Sequence, residues 1–204
     1  MCSSEQTVPM HDVGDTALWV DEAMDGLKIE RAHLVGHSQG GGLAAGVAVR
    51  YPDRLASLTL LEPLLTLGTL PLSTILASIP LTLPGVPDSW RESALNKIGG
   101  VEDHEVDPDD PLLRMITVGA ESYDSSGLPN PSQLTDAELK NLSMPVYVAI
   151  ASDSSLAGGE SAVEKAKLIP DAQVKIWPDT THSLPMQVAR PLDAELEQFW
   201  SAHP

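Results

Sequence analysis

The sequence predicts an α/β fold with a mostly parallel sheet flanked by helices, and three observations carry that prediction. A short apolar run at 32–35 leads into Gly36-His37-Ser38-Gln39-Gly40-Gly41-Gly42, then into an Ala/Gly-rich amphipathic run at 43–51 that Pro52 stops. That is strand, sharp turn and helix. A second apolar run, 57–61, follows closely, and a helix between two buried apolar strands reads as a parallel crossover. After residue 131 the alternation resumes, with an apolar run at 145–151, a helical pattern at 159–168 and another apolar run at 174–177.

Taken in order, residues 1–10 read as a loop. Asp12 or Asp15 can cap a helix running to about residue 25, where Gly26 stops it. Ala17, Val20, Met24 and Leu27 recur at helical spacing and predict one buried face. The strand at 32–36 and the helix at 40–50 bracket Ser38, and 51–54 is a turn. The strand at 57–61 ends at Glu62-Pro63. The segment 64–130 breaks the rhythm. It carries helical patterns near 71–79, 88–98 and 111–121, an acidic linker at 102–110 and a Ser/Gly/Pro/Asn loop at 124–131. With no strand recognisable there, it reads as a helical insertion over the strand ends, a lid whose leucines are either core or the lining of an apolar pocket. A short helix at 135–142 precedes the strand at 145–151, and Asp153 lies just past that strand. The helix at 159–168 ends before Pro170. The last strand, 174–177, leads through the His182 loop to a final helix with Pro191 in its first turn.

The chain's 204 residues suit a single domain, 1–204. Apolar residues make up 42%, which places it among globular rather than disordered chains. The net charge of -17 disfavours nucleic acid and anionic membrane surfaces as partners, since both are polyanions. Cys2 is the single cysteine, so no intrachain disulfide can form. Residues 1–10 hold no apolar stretch of the kind a signal peptide needs, and a cytoplasmic location is expected. The apolar stretch at 64–83 is interrupted by Gly68, Pro71 and Pro80 and makes a poor membrane span.

Gly36-His37-Ser38-Gln39-Gly40 fits the Gly-x-Ser-x-Gly nucleophile elbow, in which strained backbone angles on the serine lift its hydroxyl clear of the sheet. Strand and helix then pass so closely that positions 36 and 40 are expected to accept only a very small side chain. A dinucleotide-binding turn would want Gly-x-Gly-x-x-Gly instead. A serine hydroxyl needs a base to take its proton, and the base needs a carboxylate to fix its tautomer. In open α/β sheets the site lies beyond the carboxyl ends of the strands. Ser38 follows the first strand, Glu62 the second, Asp153 the third and His182 the fourth. Of six histidines, His11, His33, His104 and His203 lie elsewhere, and His37 is expected to point away from the hydroxyl. His182 is the candidate base. Asp153 is the preferred acid, with Glu62 as the alternative. Asp179 shares the loop of His182 and is a weaker candidate. No His-Glu-x-x-His run or cysteine pair suggests a metal site, and no cofactor is expected.

From about residue 10 onward the chain resembles the C-terminal two-thirds of an α/β-hydrolase-fold enzyme. The resemblance rests on Gly36-His37-Ser38-Gln39-Gly40-Gly41, the Tyr51-Pro52-Asp53-Arg54 turn, the strand reaching Glu62-Pro63, the lid, the strand before Asp153 and the His182 loop. It implies acyl transfer to water through a Ser38 acyl-enzyme, with His182 as base and then acid and the Gln39 backbone N–H as one oxyanion donor. Family members begin with further strands and carry a His-Gly turn that supplies a second oxyanion N–H. Neither is recognisable in 1–31. The N-terminal part of the sheet is therefore expected to be missing, with the elbow strand an open edge for a second copy or a completing chain. The resemblance favours hydrolysis of an ester or related acyl bond of a small, fairly apolar molecule. Two alternatives stand beside it: a hydrolase-like binding module without turnover, and another reaction on the same scaffold, such as carbon–carbon bond hydrolysis, acyl transfer or perhydrolysis.

Overall fold

The computed structural model describes residues 8–83, 85–100, 114–115, 118–119 and 129–204. Helix α1, Val13–Gly26, opens at Asp12, whose carboxylate accepts the Asp15 N–H at 3.0 Å. Ala17 and Met24 are buried as its spacing predicts, but Leu27 is exposed, because the helix has ended one residue earlier and the chain turns at that point. Strand β1, Ala32–His37, leads through Ser38 into α2, Gln39–Arg50. A short 3₁₀ turn at Pro52–Arg54 delivers β2, Leu55–Leu61.

β2 leads on to α3, Leu72–Thr82, with Pro80 in its last turn, and to α4, Asp88–Gly99, closed by Gly100 in the left-handed conformation. The expected acidic linker at 102–110 lies outside the described residues, as does most of the helix at 111–121 and of the loop at 124–131. After Pro131 come α5, Asp136–Lys140, with a Thr135–Glu138 capping box, and β3, Val146–Ala151. Then come α6, Gly159–Ala166, and β4, Ala172–Trp177. A four-residue helix that the sequence reading lacks, α7 at Leu184–Gln187, precedes α8, Ala189–Ser201.

The sheet is parallel throughout the described residues, in the order β1-β2-β3-β4. β2 and β4 each start two residues earlier than the apolar runs suggest, because pairing extends them: Leu55 pairs with Ala32 across a bulge, and Ala172 with Val146. The strict alternation of a strand sorts the core into two layers. Leu58, Leu60, Val146, Val148 and Ile150 face the α2, α5 and α6 side, against Ala44, Ala45, Ala48, Leu139, Ala162 and Ala166. Leu61, Tyr147, Ala149 and Ala151 face the other side and pack on Leu184, Leu192, Leu196 and Phe199. Both layers hold up the same row of strand ends, where Ser38, Glu62, Asp153 and His182 follow β1, β2, β3 and β4. Among the described residues β1 is an edge strand, and Val35 on it is 43% exposed. No helix of the described residues is long and apolar enough to cross a membrane.

Candidate active site

Ser38 sits at φ 55°, ψ -123°, in the left-handed region that a residue with a Cβ seldom occupies. Its neighbours hold it there. Its N–H donates to Leu61 O at 3.1 Å, and its carbonyl accepts the N–H groups of Gly41, Gly42 and Leu64 at 3.0, 3.2 and 2.9 Å. These four bonds tie the turn to β2, to α2 and to the chain beyond Pro63, so the strained angles persist because the surroundings over-determine them.

The glycines around the turn are not equivalent. A Cβ on Gly36 would lie 2.3 Å from Gly40 O and 2.7 Å from Gly41 Cα, backbone that cannot step aside. A Cβ on Gly40 would meet nothing within 4 Å, which corrects the expectation that position 40 is sterically closed. The second tight position is Gly42, where the added carbon would come within 2.3 Å of Pro131 Cβ. Gly36→Ala is therefore expected to destabilise the fold by about 3 kcal/mol or more, as severe overpacking does, and Gly40→Ala by less than about 1 kcal/mol. Urea unfolding of the two variants checks this, and equal midpoints would refute it.

Three side chains converge beyond the strand ends. His182 Nε2 lies 2.8 Å from Ser38 Oγ, and His182 Nδ1 lies 3.2 Å from Glu62 Oε2. Glu62 is completely buried, and its φ of 46° turns the side chain inward off the end of β2. Its Oε1 accepts the Ala151 N–H at 2.7 Å, and its Oε2 also accepts the Ser154 hydroxyl at 2.8 Å. A carboxylate in that setting only accepts, so the proton belongs on His182 Nδ1 and Nε2 is left to accept from the serine hydroxyl.

The structure thus brings Ser38 and His182 together but does not bring Asp153 to them. This corrects the preference for Asp153 as the imidazole's partner. Asp153 is exposed in the turn after β3, where its N–H donates to Thr180 O at 3.0 Å and its carboxylate accepts from Ser152 Oγ. Glu62 follows the strand next to the elbow. Because His37 pairs with Leu61, Ser38 and Glu62 leave the sheet side by side.

His37 lies against the His182 loop. Its Nε2 lies 2.9 Å from the backbone carbonyl of His182, and the two imidazoles stack with centroids 4.9 Å apart. Burial is the main cause that pulls its pKa below the ordinary histidine value, so it stands neutral and donates from Nε2. The Gly-His-Ser order is the sequence signal that could have drawn attention to it. Ser154, whose hydroxyl donates to Glu62, had no such signal.

Gln39 is the first residue of α2, so its N–H has no partner one turn back along the helix. Its side-chain Nε2 donates to Pro129 O at 3.3 Å. Among the described residues, no group of three or more His, Cys, Asp or Glu side chains is placed to hold a metal ion.

A family model described as the alpha/beta hydrolase fold matches residues 2–102. The crystal structure of the carboxylesterase CesB (YbfK) from Bacillus subtilis matches with a TM-score of 0.82 at 25% identity, covering 98% of this chain and 70% of that one. The chain has the α/β-hydrolase fold. Curated proteins that resemble it include carboxylesterase YbfK from Bacillus subtilis, 26% identical over 87% of this chain and 60% of the relative. Another is the carboxylesterase nap of the same organism, 23% identical over 92% of this chain and 63% of the relative. The chain therefore spans somewhat under two-thirds of the length of these relatives. The α/β-hydrolase sheet accounts for the parallel strand order and for the positions of Ser38 and His182 after the first and last described strands.

Proposed function

We propose that this chain is a serine hydrolase that cleaves an ester or related acyl bond of a small, fairly apolar substrate. The observation that carries the reading is the unbroken chain Ser38 Oγ, His182 Nε2, His182 Nδ1, Glu62 Oε2, with steps of 2.8 and 3.2 Å outside the ring. Ser38 Oγ attacks the acyl carbon while His182 takes its proton. Glu62 steadies the imidazolium that results. His182 then gives the proton to the leaving alcohol, and a water repeats the sequence to free the acid. The Gln39 N–H, at the positive end of the α2 dipole, stabilises the oxyanion of each tetrahedral intermediate.

The carboxylesterases it resembles support an ester as the substrate class. The apolar preference rests on the segment after Glu62, which carries no charged residue from 63 to 86. Leu72, Ile75, Leu76 and Ile79 of α3 are exposed rather than used as core. That exposure favours reading the leucines of this segment as the lining of an apolar pocket over reading them as core. An open groove of about 340 Å³ lies between α3 and α4, lined by Leu76, Pro80, Trp90 and Lys97 among others. None of its lining residues belongs to the Ser38–His182–Glu62 chain, so the reading does not rest on it.

The test is intact-mass analysis after exposure to a fluorophosphonate, with peptide mapping and a Ser38→Ala control, on protein whose fold is verified by circular dichroism. One adduct, on Ser38, is expected, with none on the variant. A folded protein that takes no adduct would remove the claim that this chain carries an activated serine.

A further inference from the structure

We infer that His37 is a positioning residue for the base, holding the His182 imidazole in the orientation that faces Ser38 on one side and Glu62 on the other. This rests on the serine-hydrolase reading above, and the geometry is specific to it. His182 sits in a loop between β4 and α7, and a loop residue has no ladder of its own to fix it. Its flanks are tied down. Thr181 Oγ1 and Ser183 Oγ both donate to Gly99 O, at 3.1 and 2.9 Å, and the Thr181 N–H donates to Gln187 Oε1 at 2.9 Å. Those bonds fix the residues on either side of His182. The bond to His182's own peptide comes from His37 Nε2–H, at 2.9 Å to the carbonyl.

The same side chain acts on the ring. The two imidazoles stack at 4.9 Å with 30° between their planes, so His37 closes one face of His182 and opposes its rotation about the Cβ–Cγ bond. His37 is itself rigidly placed. It is the last residue of β1, in register with Leu61, one residue before Ser38. A single strand end therefore carries the serine and, directly before it, the group that aims the serine's base. A base must be held close to its productive geometry for proton transfer to be efficient, and an error of about 1 Å can cost about 10²-fold.

The donor and the stacking surface separate by mutation. His37→Phe keeps a ring and removes the N–H. His37→Gln keeps an N–H at similar reach and removes the ring. His37 carries no proton in the reaction, so its loss is expected to act on kcat and leave KM nearly unchanged. The fluorophosphonate rate constant and ester kcat should fall about 10- to 100-fold in His37→Phe and recover by at least half of that loss, on a logarithmic scale, in His37→Gln. Nitrogen-15 NMR of histidine-labelled protein gives a readout that needs no reactivity. In the unmodified protein His182 should show one tautomer, with the proton on Nδ1, and in His37→Phe a mixture. Equal kinetics and unchanged His182 signals in a folded His37→Phe variant would overturn the inference. Failure of the unmodified protein to label on Ser38 would instead overturn the hydrolase reading, and the NMR comparison would still decide whether His37 orients His182.

Discussion

Glu62→Gln is expected to lower ester turnover by about 10³- to 10⁴-fold, the scale seen when the carboxylate behind a catalytic histidine becomes an amide. The reason is geometric. Glu62 presents two accepting oxygens to three donors: Oε1 to the Ala151 N–H, and Oε2 to the Ser154 hydroxyl and His182 Nδ1. Glutamine has one accepting oxygen. If that oxygen keeps the Ala151 N–H, the amide NH₂ faces His182 Nδ1 and drives the ring to the tautomer with its proton on Nε2. That nitrogen then donates toward Ser38 and cannot take its proton. If the amide turns over, its NH₂ opposes the Ala151 N–H in a site with no access to water, which costs about 1–3 kcal/mol for the unsatisfied donor. Activity falls in the first arrangement and stability in the second, so steady-state kinetics and urea unfolding are measured together.

Asp153→Asn is the paired control. Its side chain is exposed and makes no contact with the imidazole, so turnover should stay within about threefold, the range of surface substitutions. A large loss in Asp153→Asn with normal turnover in Glu62→Gln would reverse the assignment and restore the sequence-based preference for Asp153.

That preference shows where legibility stopped. Each strand end could be read from an apolar run bounded by turn residues, which is why the sheet, Ser38 and His182 could be placed. The choice between two carboxylates could not be made that way, because both Glu62 and Asp153 follow apolar runs. Their difference lies in what the strand ends meet. The register His37↔Leu61 sets Glu62 beside the elbow, and a φ of 46° at Glu62 aims it inward. Asp153 instead spends its backbone N–H on Thr180 and leaves its carboxylate in solvent. The same limit applies to the glycines. The run Gly40-Gly41-Gly42 says that a backbone approach is close somewhere, but only the packing of Pro131 on α2 makes position 42 the closed one and leaves 40 open. The contact of His37 with His182 was not legible, because strand alternation assigns a face and cannot foresee a stack across 145 positions of sequence onto a loop.

Ser38→Ala should abolish ester turnover, with a loss of about 10⁴-fold or more, since neither His182 nor Glu62 has a nucleophile to act on. Stability separates this variant from a second one. Alanine at position 38 keeps a Cβ at φ 55° and so keeps the strain, and its stability should match the unmodified protein within about 0.5 kcal/mol. Ser38→Gly removes the Cβ. A strained residue of this kind costs about 1–3 kcal/mol, against which glycine's looser unfolded chain gives back about 0.5–1 kcal/mol. The expected net gain is about 0.5–2 kcal/mol, a rise of a few degrees in Tm for a chain of this size, about 2–4 °C for each kcal/mol. An inactive protein that is more stable than its active parent is the signature of strain kept for function. Should Ser38→Gly prove no more stable than Ser38→Ala, the bonds from Leu61, Gly41, Gly42 and Leu64 would have to be holding a relaxed turn. The serine's exposure would then follow from hydrogen bonding alone, with no stability given up to place its hydroxyl against His182.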